Sequence, residues 1–171
     1  MSSPFARATA TVPVPFDPPH EVTVQQLNGR QLAKAQTAFL NDLIAQVQVR
    51  GGAKVQKDIE TLFKTDTKDV SEEAKQIQAE VEKMKADPLN GFDKYSLCYA
   101  GIKSWTYPES LALVPVVEHM ADGREITVMR VLAIDDLNDE AVTFFATEVL
   151  RLTKPALFQT TDEQETARKN G

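Results

Sequence analysis

Residues 88–108, PLNGFDKYSLCYAGIKSWTYP, contain all three tyrosines, the only tryptophan and the only cysteine of the chain. Aromatic side chains carry a large apolar surface, so this cluster predicts a packing centre. Asn90-Gly91 predicts a turn, and Asp93 is a good helix N-cap. Five residues then share one helical face: Leu97, Cys98, Gly101, Ile102 and Trp105. We predict a central helix that ends at Pro108, with Phe92 and Trp105 as its anchors.

Two small residues of this helix are expected to serve packing. Glycine inside a helix costs up to about 1 kcal/mol relative to alanine, so we expect Gly101 to allow the close approach of a neighbouring helix. Cys98 lies on the apolar face and is interpreted as a small core residue.

The composition limits the class of protein. The chain has 171 residues and a net charge of −6; this length suffices for one domain with a core, and the acidic charge argues against nucleic acid as a partner. One cysteine cannot form an internal disulfide, which favours a reducing compartment. No window approaches the roughly 20 apolar residues of a membrane-spanning helix. We expect a soluble, cytoplasmic protein with neither nucleic acid nor membrane as a partner.

The two ends of the chain differ from its middle. Residues 1–20 hold five of the nine prolines, and proline disfavours regular hydrogen bonding, so an extended arm is predicted. This arm is either a disordered leader or a segment that docks on a partner or a neighbouring subunit through Val12, Val14 and Phe16. Residues 159–171 lack an apolar face and are predicted to be disordered.

Residues 21–158 are predicted to form one domain. Its first element is a strand at 21–27, in which Val22 and Val24 alternate with polar residues. A helix follows from Gln31 and is expected to end at Gly51-Gly52. Seven residues recur at helical spacing on its apolar face: Leu32, Ala35, Phe39, Leu40, Leu43, Ile44 and Val47.

Two further helical segments are predicted in the polar middle of the chain. The first carries Val55, Ile59, Leu62 and Phe63 on its apolar side. The second spans residues 71–86, where the apolar stripe is narrow: Ala74, Ile77, Val81 and Met84. Such a helix is either a solvated surface helix or one that exchanges partners.

The last third of the domain combines strands with a helix. Residues 114–131 predict a β-hairpin, with Asp122-Gly123 as a two-residue type I′ turn and Pro115 on an edge strand. Residues 135–140 open an apolar helix that ends at Lys154-Pro155. The predicted fold is therefore mainly α (α+β): amphipathic helices around a central aromatic helix, with a short N-terminal strand and one hairpin.

No motif in the sequence indicates catalysis, a cofactor or a metal. Cys98 and His119 could be imagined as a nucleophile and its base, but they lie on different predicted elements and no third residue orients them. An acidic group at 135–140 lacks the spacing of a calcium loop, and its carboxylates are expected to cap a helix. We predict that the protein is not an enzyme.

The order of elements resembles the tail assembly chaperones of long-tailed (siphovirus-type) bacteriophages. The resemblance covers roughly residues 20–160, and the hairpin near 114–131 resembles an insertion relative to shorter members. Six stretches carry it, on either side of a long polar helical middle: Asn28-Gly29-Arg30, Leu32-Ala33-Lys34-Ala35, Asp87-Pro88-Leu89-Asn90-Gly91-Phe92-Asp93, Gly101-Ile102-Lys103-Ser104-Trp105, Asp136-Leu137-Asn138-Asp139-Glu140 and Glu148-Val149-Leu150.

The resemblance implies a protein without catalytic activity. Members of this family bind the helical tape-measure protein, keep it soluble and recruit tail-tube subunits. They act in the host cytoplasm and are absent from the mature virion. For this chain we expect those two partners, and self-association as a third contact. Six residues on the two amphipathic helices are the predicted partner-binding residues: Phe39, Leu43, Val47, Ile77, Val81 and Met84.

Other functions are compatible with the same sequence. The chain could be a structural virion component, such as a head–tail connector or a minor tail protein, in which the proline-rich arm joins subunits. A small adaptor protein is a third interpretation.

The resemblance also suggests a longer form of the protein. Many of these chaperones are made in two lengths by a programmed −1 frameshift. If the codon of Arg168 ends in A and Lys169-Asn170 is encoded AAA-AAC, the gene carries the slippery heptamer A-AAA-AAC. The nucleotide sequence tests this hypothesis directly.

Overall fold

A computed structural model describes residues 6–64, 79 and 87–159, with the backbone alone at 47, 48 and 50–64. Strands and helices follow one another in groups of two or three along the described chain. In order, the elements are β1 Thr9–Pro13, β2 Glu21–Gln25, α1 Gly29–Lys64, α2 Lys94–Gly101, β3 Ile102–Trp105, β4 Val114–His119, β5 Glu125–Arg130, α3 Leu132–Asp135, α4 Asp139–Thr153 and a 3-10 helix at Pro155–Phe158.

The first sheet is antiparallel and has the order β1-β2-β3. The predicted strand at 21–27 is confirmed as β2, in which Val22 and Val24 are almost fully buried. Helix α4 packs on this strand and on α2. The resulting core joins both halves of the described chain, and its largest fully buried side chains are Phe145, Leu97, Ile134 and Leu150.

The aromatic segment contains a short helix and then a strand. Asp93 is the N-cap of α2, as predicted, because its Oδ2 accepts a hydrogen bond of 2.7 Å from the Ser96 N–H. The prediction that the helix continues toward Pro108 is wrong, since the chain becomes extended at Ile102. The register between β2 and β3 shifts at Thr23 and Val24, which is the signature of a bulge.

Gly101 has the predicted role. A Cβ at this position would overlap the side chain of Val149 and would lie 2.9 Å from its Cβ. The end of α2 can therefore approach α4 this closely because residue 101 has no side chain. Cys98 is confirmed as a core residue, with none of its surface exposed.

Helix α1 begins at a capping box. The side chain of Asn28 accepts from the Gln31 N–H at 2.8 Å, and the Gln31 side chain accepts from the Asn28 N–H at 3.1 Å. The prediction that Gly51-Gly52 ends the helix is wrong, because the helical backbone continues to Lys64. Glycine weakens a helix, but it does not forbid helical backbone angles.

The β-hairpin is confirmed, with Val114 opposite Arg130 and His119 opposite Glu125. Its turn is not the predicted two-residue type. Gly123 N–H donates to Met120 O at 2.9 Å, and Gly123 has a φ of +83°; a type I turn followed by a left-handed glycine has these features.

Pro115 lies on an open edge, as predicted. Met120 N–H donates to Arg124 O at 2.7 Å, and the alternation of an antiparallel ladder then turns the backbone groups of Pro115 away from β5. The missing N–H of proline therefore costs the hairpin no hydrogen bond.

The expectation of a mainly α fold is wrong. Within the described residues, two small antiparallel sheets accompany the helices, and the fold is a mixed α+β one. Two segments account for the difference. Residues 9–13 of the arm form β1, and residues 102–105 of the expected central helix form β3.

The described part of the arm packs on its own chain. Residues 9–13 pair with β2, and Val14 is buried with 1% of its surface exposed. The ring of Phe16 contacts that of Phe144 edge-on, with the centroids 5.7 Å apart. The described residues of the arm are therefore part of the fold of their own chain. The predicted disordered tail lies outside the described residues from position 160 onward.

Candidate interaction surfaces

The first turns of α1 hold it against the folded body. Ala35 is fully buried, and its carbonyl accepts a hydrogen bond of 2.9 Å from the Asp93 N–H at the cap of α2. Leu32 is partly buried against the core. The apolar stripe predicted from the sequence thus begins as a packing surface.

Further along α1, three large apolar side chains are exposed. Leu40 has 54% of its surface exposed and Ile44 has 49%, whereas Val49 reaches 88%. Leu40 and Ile44 are four residues apart, so they share one side of the helix, roughly 140–180° around the axis from Ala35. This side of α1, which we call the α1 face, consists of Leu40 and Ile44.

The predicted partner-binding residues of α1 differ in their surroundings. Phe39 and Leu43 are half-buried, and Phe39 lines a cavity of about 430 Å³ together with Leu89, Phe92 and Tyr95. The side chain of Val47 is not among those described. Phe39 therefore faces the folded body.

The other predicted partner-binding residues lie outside the described chain. Ile77, Val81 and Met84 belong to the segment 71–86, in which only Ala79 is described, as helical and exposed. Sequence reasoning counted Leu40 and Ile44 in the apolar stripe but did not select them as contact residues.

The hairpin carries a second group of exposed apolar residues. Val117 has 55% of its surface exposed and Met129 has 57%, and both lie on the same face of the hairpin. On the opposite face, Arg130 donates to Glu118 at 2.8 Å through Nε and forms an ion pair of 3.4 Å with Asp135. The first contact joins the two strands of the hairpin, and the second ties the hairpin to α3.

The two residues considered for catalysis, Cys98 and His119, lie in different environments. Burial, followed by the nearby charge of Asp93, raises the pKa of the Cys98 thiol to about 12, and its Sγ lies 3.6 Å from Val142 O. His119 is exposed at the end of β4 and lies 3.3 Å from Glu125. Since a thiolate is the nucleophilic form of cysteine, Cys98 is unsuited to that chemistry.

The acidic group at 135–140 has structural partners. Asp135 accepts from the Tyr99 hydroxyl and from Arg130. Asp139 and Glu140 lie in the first turn of α4, whose N-cap is Asn138; carboxylates there favour the helix dipole. Within the described residues, no three His, Cys, Asp or Glu side chains are grouped as metal ligands would be.

These features define a class of protein: a small α+β protein in which a long helix and a hairpin carry most of the described exposed apolar side chains. Comparisons with family models, with curated proteins and with solved structures find no match to the chain. Among the described helices, none has the length and apolar character needed to cross a membrane.

Proposed function

We propose that the protein is a tail assembly chaperone of a long-tailed bacteriophage. In this role it binds the helical tape-measure protein, recruits tail-tube subunits in the host cytoplasm and leaves before the virion is complete. It needs no catalytic residue or cofactor. The observation that carries the proposal is the α1 face, an exposed apolar surface on a long helix whose first turns pack on the described core.

The dimensions of α1 suit a helical partner. Its 36 residues extend over roughly 54 Å at 1.5 Å per residue. Its two sides differ in burial: Ala35 is fully buried, whereas Leu40 and Ile44, on the other side of the helix, are about half exposed. Side chains at i and i+4 are the ones that insert between the ridges of a second helix. The α1 face would thus pack along one side of the tape-measure helix.

The second function considered, a structural virion component, depended on the arm joining subunits. Because residues 9–13 pair with β2 of the same chain, the described part of the arm supplies no argument for that function.

The experiment is co-purification of the full chain with a tagged tape-measure protein from the same phage. We expect the double variant Leu40→Glu/Ile44→Glu to lower the affinity at least tenfold, because burying one leucine-sized side chain contributes about 1.5–3 kcal/mol. Circular dichroism should show an unchanged fold, since both side chains are about half exposed.

The matched control is Leu113→Glu/Val117→Glu, which adds the same two charges next to and within the hairpin. These residues are 60% and 55% exposed. We expect this variant to bind as the parent does. Loss of binding in the control and not in the α1 variant would assign the tape-measure contact to the hairpin and refute the α1 face. Mass spectrometry of purified particles should find the chain absent, and its presence in stoichiometric amount would contradict the chaperone function.

A further inference from the structure

A cavity of about 560 Å³ lies where the arm meets the segment after β3 and the start of α4. Three aromatic rings line it: Phe16 of the arm, Trp105 at the end of β3 and Tyr107 just beyond. It shares no residue with the α1 face. Because Phe16 and Asp17 belong to the arm, the folded-back arm forms part of the cavity lining.

The rings of the cavity are held in place. Trp105 and Tyr107 contact each other edge to face, with centroids 5.5 Å apart. The Trp105 Nε1–H donates to Glu109 O at 2.8 Å, and the imidazole of His20 stacks on Tyr107 at 4.1 Å. These contacts fix the rings before any ligand is bound.

The charged residues described at the cavity are all acidic. Asp17, Glu109, Asp136 and Glu140 contribute to its lining, and none of the described lining residues is a lysine, arginine or histidine. Burial raises the pKa of Tyr107 to about 12, and a hydrogen bond to Asp17 and the charges of Asp17 and Glu109 add to this effect. No ion pair within the described residues neutralises Glu109, Asp136 or Glu140. The negative charge is thus available to a ligand.

We propose that this cavity binds an arginine side chain of a partner polypeptide. A guanidinium group stacks on aromatic faces and offers five N–H donors to carboxylates. Both kinds of group are present on the lining, as rings at Trp105 and Tyr107 and as carboxylates at Asp136 and Glu140. The chemistry of the cavity complements a planar cation on both counts.

Other ligands are less compatible with this lining. A phosphate would be repelled by the four carboxylates. A divalent cation needs oxygen ligands that converge at about 2–2.6 Å, and no such group occurs within the described residues. A neutral apolar ligand would gain nothing from the charge of the four acidic residues, which are exposed to solvent.

The probe is the tripeptide acetyl-Gly-Arg-Gly-amide, and its control is the citrulline counterpart, which has the same shape and no charge. Trp105 is the only tryptophan, so its indole N–H signal in a ¹H–¹⁵N spectrum of the full chain reports on this cavity. We expect a saturable shift with the arginine peptide, weakened by added salt, and none with citrulline. An equal response to both peptides, or no saturation with arginine, would overturn the proposal.

A pair of charge-matched variants completes the test. We expect Glu140→Gln to raise the dissociation constant of the arginine peptide about fivefold, the order expected for one exposed ion pair. Glu125→Gln removes the same charge from the hairpin and should leave the constant unchanged. Equal effects of the two variants would show attraction by net charge alone and would refute a specific cavity. Neither variant alters the α1 face, so this result is independent of tape-measure binding.

Discussion

Gly101 sets the distance between the end of α2 and α4. A Cβ there would overlap the side chain of Val149, and both residues are buried. We expect Gly101→Ala to lower the free energy of unfolding by about 1–3 kcal/mol, the usual cost of overpacking a closed core. Urea denaturation followed by Trp105 fluorescence measures this change.

A double-mutant cycle identifies the cause of the Gly101 effect. Val149→Ala alone should destabilise the protein by leaving a cavity. Combined with Gly101→Ala, the total loss should be smaller than the sum of the two, because the new methyl group occupies the space of the missing ones. Additive losses would mean that Val149 is not the obstacle.

The buried thiol of Cys98 makes the free energy of unfolding depend on pH in the alkaline range. Its pKa is about 12 in the folded protein and 9.0 when free of the fold. The unfolded chain therefore loses this proton first as the pH rises. The stabilisation is complete below pH 9 and is lost between pH 9 and 12, with a slope of up to about 1.4 kcal/mol per pH unit.

The measurement for Cys98 is urea denaturation at several pH values above 9. Tyr99 and Tyr107 also have raised pKa values, mainly through burial, so they add to the same slope. The variant Cys98→Ala isolates the thiol, and its stability should fall less steeply than that of the parent. Identical slopes would show that Cys98 does not titrate in this way.

At the scale of elements, β3 shows why a helical spacing was misleading. Ile102 and Trp105 are three residues apart, which is a helical spacing, and in a regular strand they would point to opposite faces. The bulge against β2 places Ile102 opposite Val24 and Trp105 opposite Val22. Both side chains thereby join the core. A bulge depends on the neighbouring strand, so the local sequence could not reveal it.

Other elements were predictable because their signals are local. The alternation in β2, the cap at Asp93 and the strands of the hairpin follow from residue type and spacing alone. The end of α1 was not predictable, because glycine only weakens a helix and the helix continues through Gly51-Gly52. The side of α1 that contacts the folded body was also not predictable from the sequence. It depends on a tertiary contact, the hydrogen bond from the Asp93 N–H to the Ala35 carbonyl.

The aromatic cavity was beyond sequence reasoning for a similar reason. Phe16, Trp105 and Glu140 belong to three segments separated by many residues, and no spacing connects them. Their only sequence signals were an aromatic residue in a proline-rich arm and carboxylates at a helix start, each of which has an ordinary structural interpretation. The topology of the sheet brings them together.

At the scale of the whole molecule, the first sheet connects the N-terminal arm to the last helix of the described chain. Gln26 N–H donates to Ala8 O at 2.8 Å, and Leu27 N–H donates to Thr153 Oγ1 at 3.0 Å. The arm, β2 and the end of α4 are therefore joined by hydrogen bonds and by a shared core. In contrast, α1 and the hairpin carry exposed apolar side chains, so the partner contact proposed for the α1 face lies outside this part of the molecule.

This arrangement predicts how the arm contributes to stability. Val14 has 1% of its surface exposed, so Val14→Ala should lower the free energy of unfolding by roughly 2 kcal/mol. Val117→Ala is the matched control on the exposed hairpin face, and it should change stability by less than about 0.5 kcal/mol. Because the arm packs on its own chain, the urea midpoints should be the same at low and high protein concentration. A midpoint that rises with concentration would instead place the arm on a neighbouring subunit, and the cavity of Phe16, Trp105 and Tyr107 would then form only between two copies.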